Sequence, residues 1–181
     1  MNLIENFKQR TEIFDGKIIH VYRDEVILPN GKQGFREVAE HNGGVMVAPI
    51  TDDDSLIFVK QFRYPFNRVL LEFPAGKLEK GEDSLSAGIR ELKEEVGAAA
   101  KNVISIGEIY PTVAYCSEVI YLYIATGLEF GEQHLDEDEF VEIVKIPLEK
   151  AVEMVMKNEI KDSKTVAGIL KINYLKTQGK I

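Results

Sequence analysis

The sequence predicts an α/β fold, a mixed β-sheet sandwiched between helices, with an N-terminal β-hairpin extension. Short apolar runs bounded by turn residues recur through most of the chain, which is typical of β-strands. Helical periodicity is found only in one segment near the middle and in two near the C-terminus. Strands interleaved with a few helices favour a mixed sheet with helices on both faces.

The length suits one sizeable domain, alone or with a small extension. Of the 181 residues, 45% are hydrophobic and 29% charged, a composition that excludes a largely disordered protein. The 30 acidic and 22 basic residues give a formal charge of -8. Because so acidic a surface repels a phosphate backbone, we expect no nucleic acid among the partners.

The sequence also indicates a compartment. The single cysteine, Cys116, cannot form an intramolecular disulfide, which favours a reducing cytoplasm. No apolar stretch approaches the roughly 18 residues of a membrane span. The first residues lack the basic and apolar regions of a signal peptide. We therefore expect a cytoplasmic protein that does not associate with membranes.

Residues 1–43 are predicted to form a β extension, and residues 44–181 the main domain. In the extension, apolar runs at residues 18–28 and 35–38 flank a turn that contains Asn30 and Gly31, a strong hairpin signal. An isolated hairpin is marginally stable, so this one must pack on the main domain or on a second copy of the chain.

The main domain is predicted to begin with strands and to end with helices. Strands are expected at residues 45–50, 56–62, 69–73, 103–110, 118–125 and 140–146. Helices are expected near residues 83–96, 148–157 and 163–175. For the first helix, Asp83 or Ser84 is the N-cap candidate and Gly97 the stop signal.

The first predicted helix contains a cluster of acidic residues beside its apolar stripe. Helical spacing predicts an apolar stripe that faces the core, formed by Leu85, Ile89, Leu92 and Val96. Three glutamates, Glu91, Glu94 and Glu95, lie within one turn at roughly 140° from that stripe. Like charges so placed repel one another, and the usual interpretation of such a cluster is a solvated acidic face.

The residues around the glutamates form a pattern that favours a functional site over a solvated acidic face. From Gly76 the chain reads Gly-x5-Glu-x7-Arg-Glu-Leu-x-Glu-Glu-x-Gly, ending at Gly97. This segment resembles the signature of the Nudix hydrolases, and one position departs from it, because Ala98 is smaller than the usual aliphatic residue. The resemblance implies the Nudix fold and hydrolysis of a nucleoside diphosphate linked to another moiety.

Carboxylates at these spacings suit a hard divalent cation, since several oxygens converge on one patch. The resemblance implies Mg²⁺, with Mn²⁺ as an alternative. The implied metal ligands are Glu91, Glu94 and Glu95, together with the backbone oxygen of Ala75. Glu94 is also expected to be catalytic. Arg90 is placed to brace the glutamates, and Glu82 is implied as a peripheral ligand or orienting group.

Two segments indicate the branch of the family. Gln-Phe-Arg at residues 61–63, followed by Glu-x-Pro-Ala-Gly from residue 72, is similar to the ADP-ribose pyrophosphatases. The resemblance implies that Arg63 reaches the substrate; the alternative is a surface residue at a strand end. Residues 112–114, Thr-Val-Ala, depart from the Ser-Pro-Gly-type segment of that branch, so the loop over the terminal ribose is expected to differ.

Similar enzymes use an N-terminal extension to form an intertwined homodimer, in which an aromatic residue stacks on adenine across the interface. Phe35 occupies that place in this sequence. An exposed ring suffices for stacking. The alternative is that Phe35 forms the hydrophobic core of the hairpin.

An acidic run at residues 136–139 precedes the last predicted strand. Such a run is usually a solvated loop. In related pyrophosphatases an acidic residue directly before this strand acts as base or as an extra metal ligand, which implies Glu139 here. Asp136, Glu137 and Asp138 are the less favoured alternatives.

The resemblance therefore implies Mg²⁺-dependent hydrolysis of ADP-ribose to AMP and ribose 5-phosphate by a homodimer. Two alternatives remain. One is hydrolysis of another nucleotide sugar or dinucleotide, such as GDP-mannose or NADH. The other is a sensor that binds ADP-ribose without cleaving it, against which the intact set of Glu91, Glu94 and Glu95 argues.

Overall fold

A computed structural model describes residues 2–137 and 139–181. These residues form two compact units. One contains the residues up to Gly43 and the segment Tyr110–Val119, and the other contains Gly44–Ile109 and Ile120–Ile181. Within the described part of the chain, no helix has both the length and the apolar character needed to span a membrane.

The first unit is a three-stranded antiparallel sheet. Its strands are β1 (Asn6–Asp15), β2 (His20–Ile27) and β3 (Gln33–Glu40), in that order across the sheet. The predicted hairpin is present as β2 and β3, with Gly31 at φ 78° in the turn. The sequence did not single out β1, whose residues are all exposed and show no buried alternation.

This first unit has almost no apolar core. Among its described residues, the buried side chains are those of Asp24 and Val26. Asp24 accepts two hydrogen bonds from Arg10, whose guanidinium lies 4.2 Å from the ring centroid of Tyr22. Strand pairing and a charged network therefore hold the unit together.

The second unit contains two sheets and three helices among its described residues. Its strands are β4 (Gly44–Pro49), β5 (Ser55–Arg63), β6 (Arg68–Glu72), β7 (Ala75–Lys77), β8 (Ala98–Ile109), β9 (Ile120–Phe130) and β10 (Val141–Pro147). Its helices are α1 (Ser84–Val96), α2 (Leu148–Met156) and α3 (Ser163–Thr177), and a 3-10 turn spans Tyr64–Phe66.

The four-stranded sheet has the order β7-β4-β9-β8, and the three-stranded sheet the order β10-β5-β6. Strands β4 and β9 are parallel and the other pairs antiparallel, so the predicted mixed α/β class is confirmed, although the strands divide between two sheets.

Strand β4 separates two apolar cores. All of its residues are buried, and successive side chains point to opposite faces of the sheet. Val45 and Val47 belong to the cluster that includes Leu92 of α1. Met46 and Ala48 belong to the cluster formed with α2 and α3. The predicted helices on both faces are therefore confirmed.

Helix α1 has the predicted ends. Asp83 caps it by accepting a hydrogen bond from the Ser86 N–H at 2.9 Å, and Gly97 ends it at φ 68°. The predicted apolar stripe is half wrong, because Leu85 and Ile89 are 38% and 49% exposed.

The reason is the small residues on the neighbouring face of the helix. Ala87 is fully buried, and a Cβ added to Gly88 would meet Val47 at 3.0 Å. Ala87 and Gly88 therefore let α1 pack closely on β4. This packing turns Leu85 and Ile89 outward.

Candidate active site

The glutamates of α1 are mostly buried. Glu91 is 7% exposed and Glu95 is 2% exposed, whereas the side chain of Glu94 is 37% exposed. The interpretation as a solvated acidic face is therefore wrong for Glu91 and Glu95. A buried carboxylate carries a large desolvation cost unless partners compensate for it, which makes this pair a candidate functional group.

The loop before α1 packs directly onto these glutamates. Ala75 donates its backbone N–H to Oε2 of Glu95 at 2.9 Å. A Cβ built on Gly76 would lie 1.7 Å from Oε1 of Glu91. Strand β7 begins with these two loop residues and pairs with β4, which fixes their position. The structure thus brings the predicted backbone ligand Ala75 together with Glu91 and Glu95.

Arg90 braces the glutamates as expected. Its Nη1 donates to Oε1 of Glu91 and to Oε2 of Glu94, both at 2.8 Å. Its Nε donates to Oε1 of Glu82 at 3.3 Å. One guanidinium therefore orients three carboxylates of the motif.

Negative charge exceeds positive charge around the buried pair. Burial raises the pKa of Glu91, and the charges of Glu94 and Glu139 add to this effect. Burial likewise raises the pKa of Glu95 to about 8, and Glu91 and Glu139 contribute further. Since Glu139 acts electrostatically on both, the structure places this predicted residue near the glutamates of α1.

The chemistry of these donors fits a hard divalent cation. Carboxylates and a backbone carbonyl are the oxygen ligands that Mg²⁺ accepts, and the raised pKa values indicate carboxylates whose charge is not fully compensated. Within residues 2–137 and 139–181, no group of three or more His, Cys, Asp or Glu side chains is already arranged around a metal position. Arg90 occupies oxygens of Glu91 and Glu94 in this arrangement.

The loop between β9 and β10 is attached to the end of α1. Gln133 donates a hydrogen bond from its side-chain amide to the backbone oxygen of Glu95, and His134 donates its backbone N–H to the backbone oxygen of Glu94 at 3.0 Å. The last carbonyls of a helix have no partner within the helix, so the loop satisfies groups that would otherwise be free. This attachment sets where the acidic run can lie.

Glu139 lies at the end of this loop. It is half-buried, and its backbone N–H donates to the oxygen of Asp136 at 3.0 Å, which closes a turn. Of the alternatives, Asp136 and Glu137 are exposed, and Asp138 lies outside the described residues. Among the described members of the run, Glu139 is the one that acts on Glu91 and Glu95.

Arg63 belongs to a charged cluster that the sequence analysis did not identify. Its Nε and Nη2 each donate to one oxygen of Glu72 at 2.7 Å, and Glu72 is 2% exposed. Lys164 forms ion pairs with Glu72 and with Asp162. The feature of the sequence that could have revealed this cluster is Glu72, because it is a charged residue inside the apolar run at residues 69–73.

Phe35 lies in the first unit, on β3. The residue is 54% exposed, and Cζ of Arg23 lies 5.6 Å from the centroid of its ring. The alternative that Phe35 forms the hydrophobic core of the hairpin is therefore wrong. An exposed aromatic ring keeps a face available for stacking.

Two protein families match the chain in succession. The NUDIX domain matches residues 40–167, and the nucleoside diphosphate sugar hydrolase N-terminal domain matches residues 8–39. An ADP-ribose pyrophosphatase of Bacillus subtilis (strain 168) is 42% identical over 93% of this chain and 92% of its own length. A methanol dehydrogenase activator of Bacillus methanolicus is 37% identical over 95% of both chains.

The fold has a solved counterpart. The crystal structure described as an ADP compounds hydrolase superposes with a TM-score of 0.86 over 100% of both chains, at 23% identity. The matched domain covers the glutamate helix, the loop at Ala75 and Glu139. With this extent of similarity, the chain belongs to the Nudix hydrolase family.

Proposed function

We propose that this Nudix hydrolase cleaves the diphosphate of ADP-ribose, giving AMP and ribose 5-phosphate. One observation carries the proposal: Glu91 and Glu95 are buried beside the Ala75 loop, with Glu139 acting on both. The similarity to an ADP-ribose pyrophosphatase over most of both chains supports this choice of substrate.

Nudix hydrolases generally depend on a divalent metal. In this chain Glu91, Glu94, Glu95 and the carbonyl oxygen of Ala75 would hold Mg²⁺, or alternatively Mn²⁺. When bound, the metal supplies a Lewis acid that neutralises diphosphate charge and lowers the pKa of water. The excess of buried carboxylate in the site supports this assignment.

The remaining roles belong to single side chains. Glu139 accepts the proton of the attacking water at its carboxylate, which requires only that its loop approach the substrate. Arg63 binds the diphosphate through the N–H groups that its pairing with Glu72 leaves over. Phe35 stacks on the adenine, for which its exposed ring is suited.

The assembly is proposed to be a homodimer in the cytoplasm. The N-terminal extension, residues 1–43, serves as the dimerisation element, and residues 44–181 form the catalytic domain, although the segment Tyr110–Val119 belongs to the same compact unit as the extension. Support comes from exposed apolar side chains on β1, including Phe7, Ile13 and Phe14, in a unit that buries few side chains of its own. The single free cysteine, Cys116, fits a reducing compartment.

A second candidate is hydrolysis of a dinucleotide such as NADH, or of a nucleotide sugar such as GDP-mannose. The similarity to a methanol dehydrogenase activator favours the dinucleotide, because nicotinamide dinucleotides serve dehydrogenases and carry the same kind of diphosphate. The non-catalytic sensor is less favoured, since a binding domain has no need of the buried Glu91 and Glu95.

A substrate panel with Mg²⁺ tests the proposal. We expect ADP-ribose to give the highest kcat/KM, and AMP and ribose 5-phosphate to be the products by chromatography. Glu94→Gln and Glu95→Gln should lower turnover by about a hundredfold or more, because a lost ligand weakens transition-state stabilisation. A higher kcat/KM for NADH or GDP-mannose would select the second candidate, and binding of ADP-ribose without turnover would select the sensor.

A further inference from the structure

We propose that Lys164 is a positioning residue: it prevents Asp162 from drawing Arg63 away from Glu72, and so keeps Arg63 oriented for the substrate. The part of this inference that concerns substrate rests on the proposed function. The part that concerns the orientation of Arg63 rests on the charged cluster alone.

The cluster is built around a buried carboxylate. Glu72 accepts hydrogen bonds from Nε and Nη2 of Arg63, both at 2.7 Å, and its Oε2 also accepts one from Nζ of Lys164. Such a bidentate pair fixes the plane of a guanidinium as well as its position. The pair leaves Nη1 of Arg63 outside these bonds, available for an anion.

Lys164 is shared between two carboxylates. Its Nζ pairs with Glu72 and, at 3.0 Å, with Oδ2 of Asp162. Asp162 also acts electrostatically on Arg63. Within the group formed by Arg63, Lys164, Glu72 and Asp162, two cations balance two anions, and Glu95, which also acts on Arg63, is unchanged in the variants compared below. Without Lys164, Glu72 and Asp162 would compete for one guanidinium, and Arg63 could pair with either.

The backbone holds Lys164 in place independently of these charges. Asp162 caps α3 by accepting a hydrogen bond from the Thr165 N–H at 3.0 Å. Oγ1 of Thr165 accepts a hydrogen bond from the Phe73 N–H at 2.9 Å, two residues before Ala75. The first turn of α3 is thus fixed to the strand end that leads into the active site. A neutral residue at position 164 should therefore leave this attachment intact.

The test uses Lys164→Met, alone and combined with Asp162→Asn. Asparagine caps a helix about as well as aspartate, so Asp162→Asn removes the competing charge and keeps the cap. For Lys164→Met we expect KM to rise about tenfold or more, with kcat changed less than about threefold, since a hydrogen-bonded ionic contact to substrate is weakened. The double variant should return KM towards the wild-type value.

A second readout does not depend on substrate. The NMR signal of the Arg63 Nε–H, assigned by its loss in Arg63→Lys, should be protected from exchange in the wild type and exposed in Lys164→Met. Protection should return in the double variant. If the wild type does not hydrolyse ADP-ribose, the proposed function fails, and the NMR signal still decides this inference.

Three outcomes would overturn the inference. One is that Lys164→Met changes neither KM nor the Arg63 signal. Another is that KM stays raised in the double variant, which would mean that Lys164 acts in some other way. If Lys164→Met does not fold, the charge-balanced double variant decides, and a raised KM or an unprotected Arg63 signal in it refutes the role of Asp162.

Discussion

Oε1 of Glu91 lies 1.7 Å from the point where a side chain on Gly76 would begin. Gly76 is the first residue of the motif, but it is not among the described glycines with positive φ, so the motif does not need glycine there for its backbone freedom. Its role is steric instead. Glycine allows the loop backbone to touch the buried carboxylate of α1, which lets the neighbouring Ala75 N–H donate to Oε2 of Glu95 at 2.9 Å.

Gly76→Ala should therefore displace Glu91 while leaving most of the fold in place. A displacement of about 1 Å can lower turnover by about a hundredfold. Steady-state kinetics with a Mg²⁺ titration would measure it, and we expect lower kcat and a higher Mg²⁺ requirement. Gly131→Ala is the matched control, because its Cβ would meet only the Gly97 oxygen, at 3.6 Å. Equal activity of the two variants would refute the steric role of Gly76.

Local chemistry in the sequence predicted the elements with clear ends. Asp83 and Gly97 bound α1 because a capping carboxylate and a residue tolerant of positive φ act within a few positions. Strand β1 was missed because all of its residues are exposed, so it shows no alternation of apolar side chains. The burial of α1 was misjudged at Leu85 and Ile89, since packing against β4 decides which face turns inward.

The candidate site also contains some residues that a local pattern in the sequence indicates and others that it does not. The glutamates of α1 lie within one motif and Ala75 directly precedes it, so a short segment of sequence that resembles a family signature was enough to propose them. The partners of Glu72 could not be predicted, because Lys164 is 92 residues away along the chain and no local pattern joins them. Long-range contacts of this kind depend on the fold as a whole.

Glu72→Gln should destabilise the protein in a pH-dependent way. Burial alone would raise the pKa of Glu72, but the hydrogen bonds from Arg63 and the charge of Lys164 hold that pKa below its usual 4.5. The ionised carboxylate therefore stabilises the fold above pH 4.5, and this stabilisation is lost as the pH falls through the lower folded-state pKa. At pH 7 we expect the variant to lose about 3 kcal/mol of unfolding free energy.

Urea unfolding of both proteins between pH 7 and pH 3 would measure this difference. Asp162 and Glu95, which also act on Arg63, are present in both proteins, so the difference isolates Glu72. Glu129→Gln is the control, because Glu129 forms an exposed ion pair with Lys101 and should contribute less than about 1 kcal/mol. A difference that does not change with pH would contradict the assignment.

The chain should be a dimer through its first unit. Phe7 and Ile13 on β1 are 64% and 58% exposed, and burying such side chains favours association. We expect light scattering to give the dimer mass at micromolar concentration, and Phe7→Ser with Ile13→Ser to shift it towards the monomer. Met156→Ser, at an exposed apolar residue of α2, should leave the mass unchanged. A wild-type monomer would remove the proposed role of Phe35 across the interface.

The geometry of the loop between β9 and β10 determines how the proposed general base, Glu139, can be tested. Gln133 and His134 attach the loop between β9 and β10 to the last turn of α1. This attachment restricts the positions in which the loop can place the proposed base. Glu139 is half-buried and acts on Glu91 and Glu95. A base must reach the attacking water only in the substrate complex, which small motions of an anchored loop allow.

Glu139→Gln should therefore lower kcat strongly, by about a hundredfold or more, with little change in KM or in Mg²⁺ affinity, as expected for a group that acts mainly in the transition state. Glu137→Gln is the matched control, because Glu137 belongs to the same acidic run and is exposed. Single-turnover kinetics would separate the chemical step from product release.

If Glu137→Gln or Asp138→Asn abolishes turnover and Glu139→Gln does not, the base belongs to this run but is another residue. If each carboxylate of the run, Asp136 included, can be neutralised singly without effect, water activation requires only the glutamates of α1.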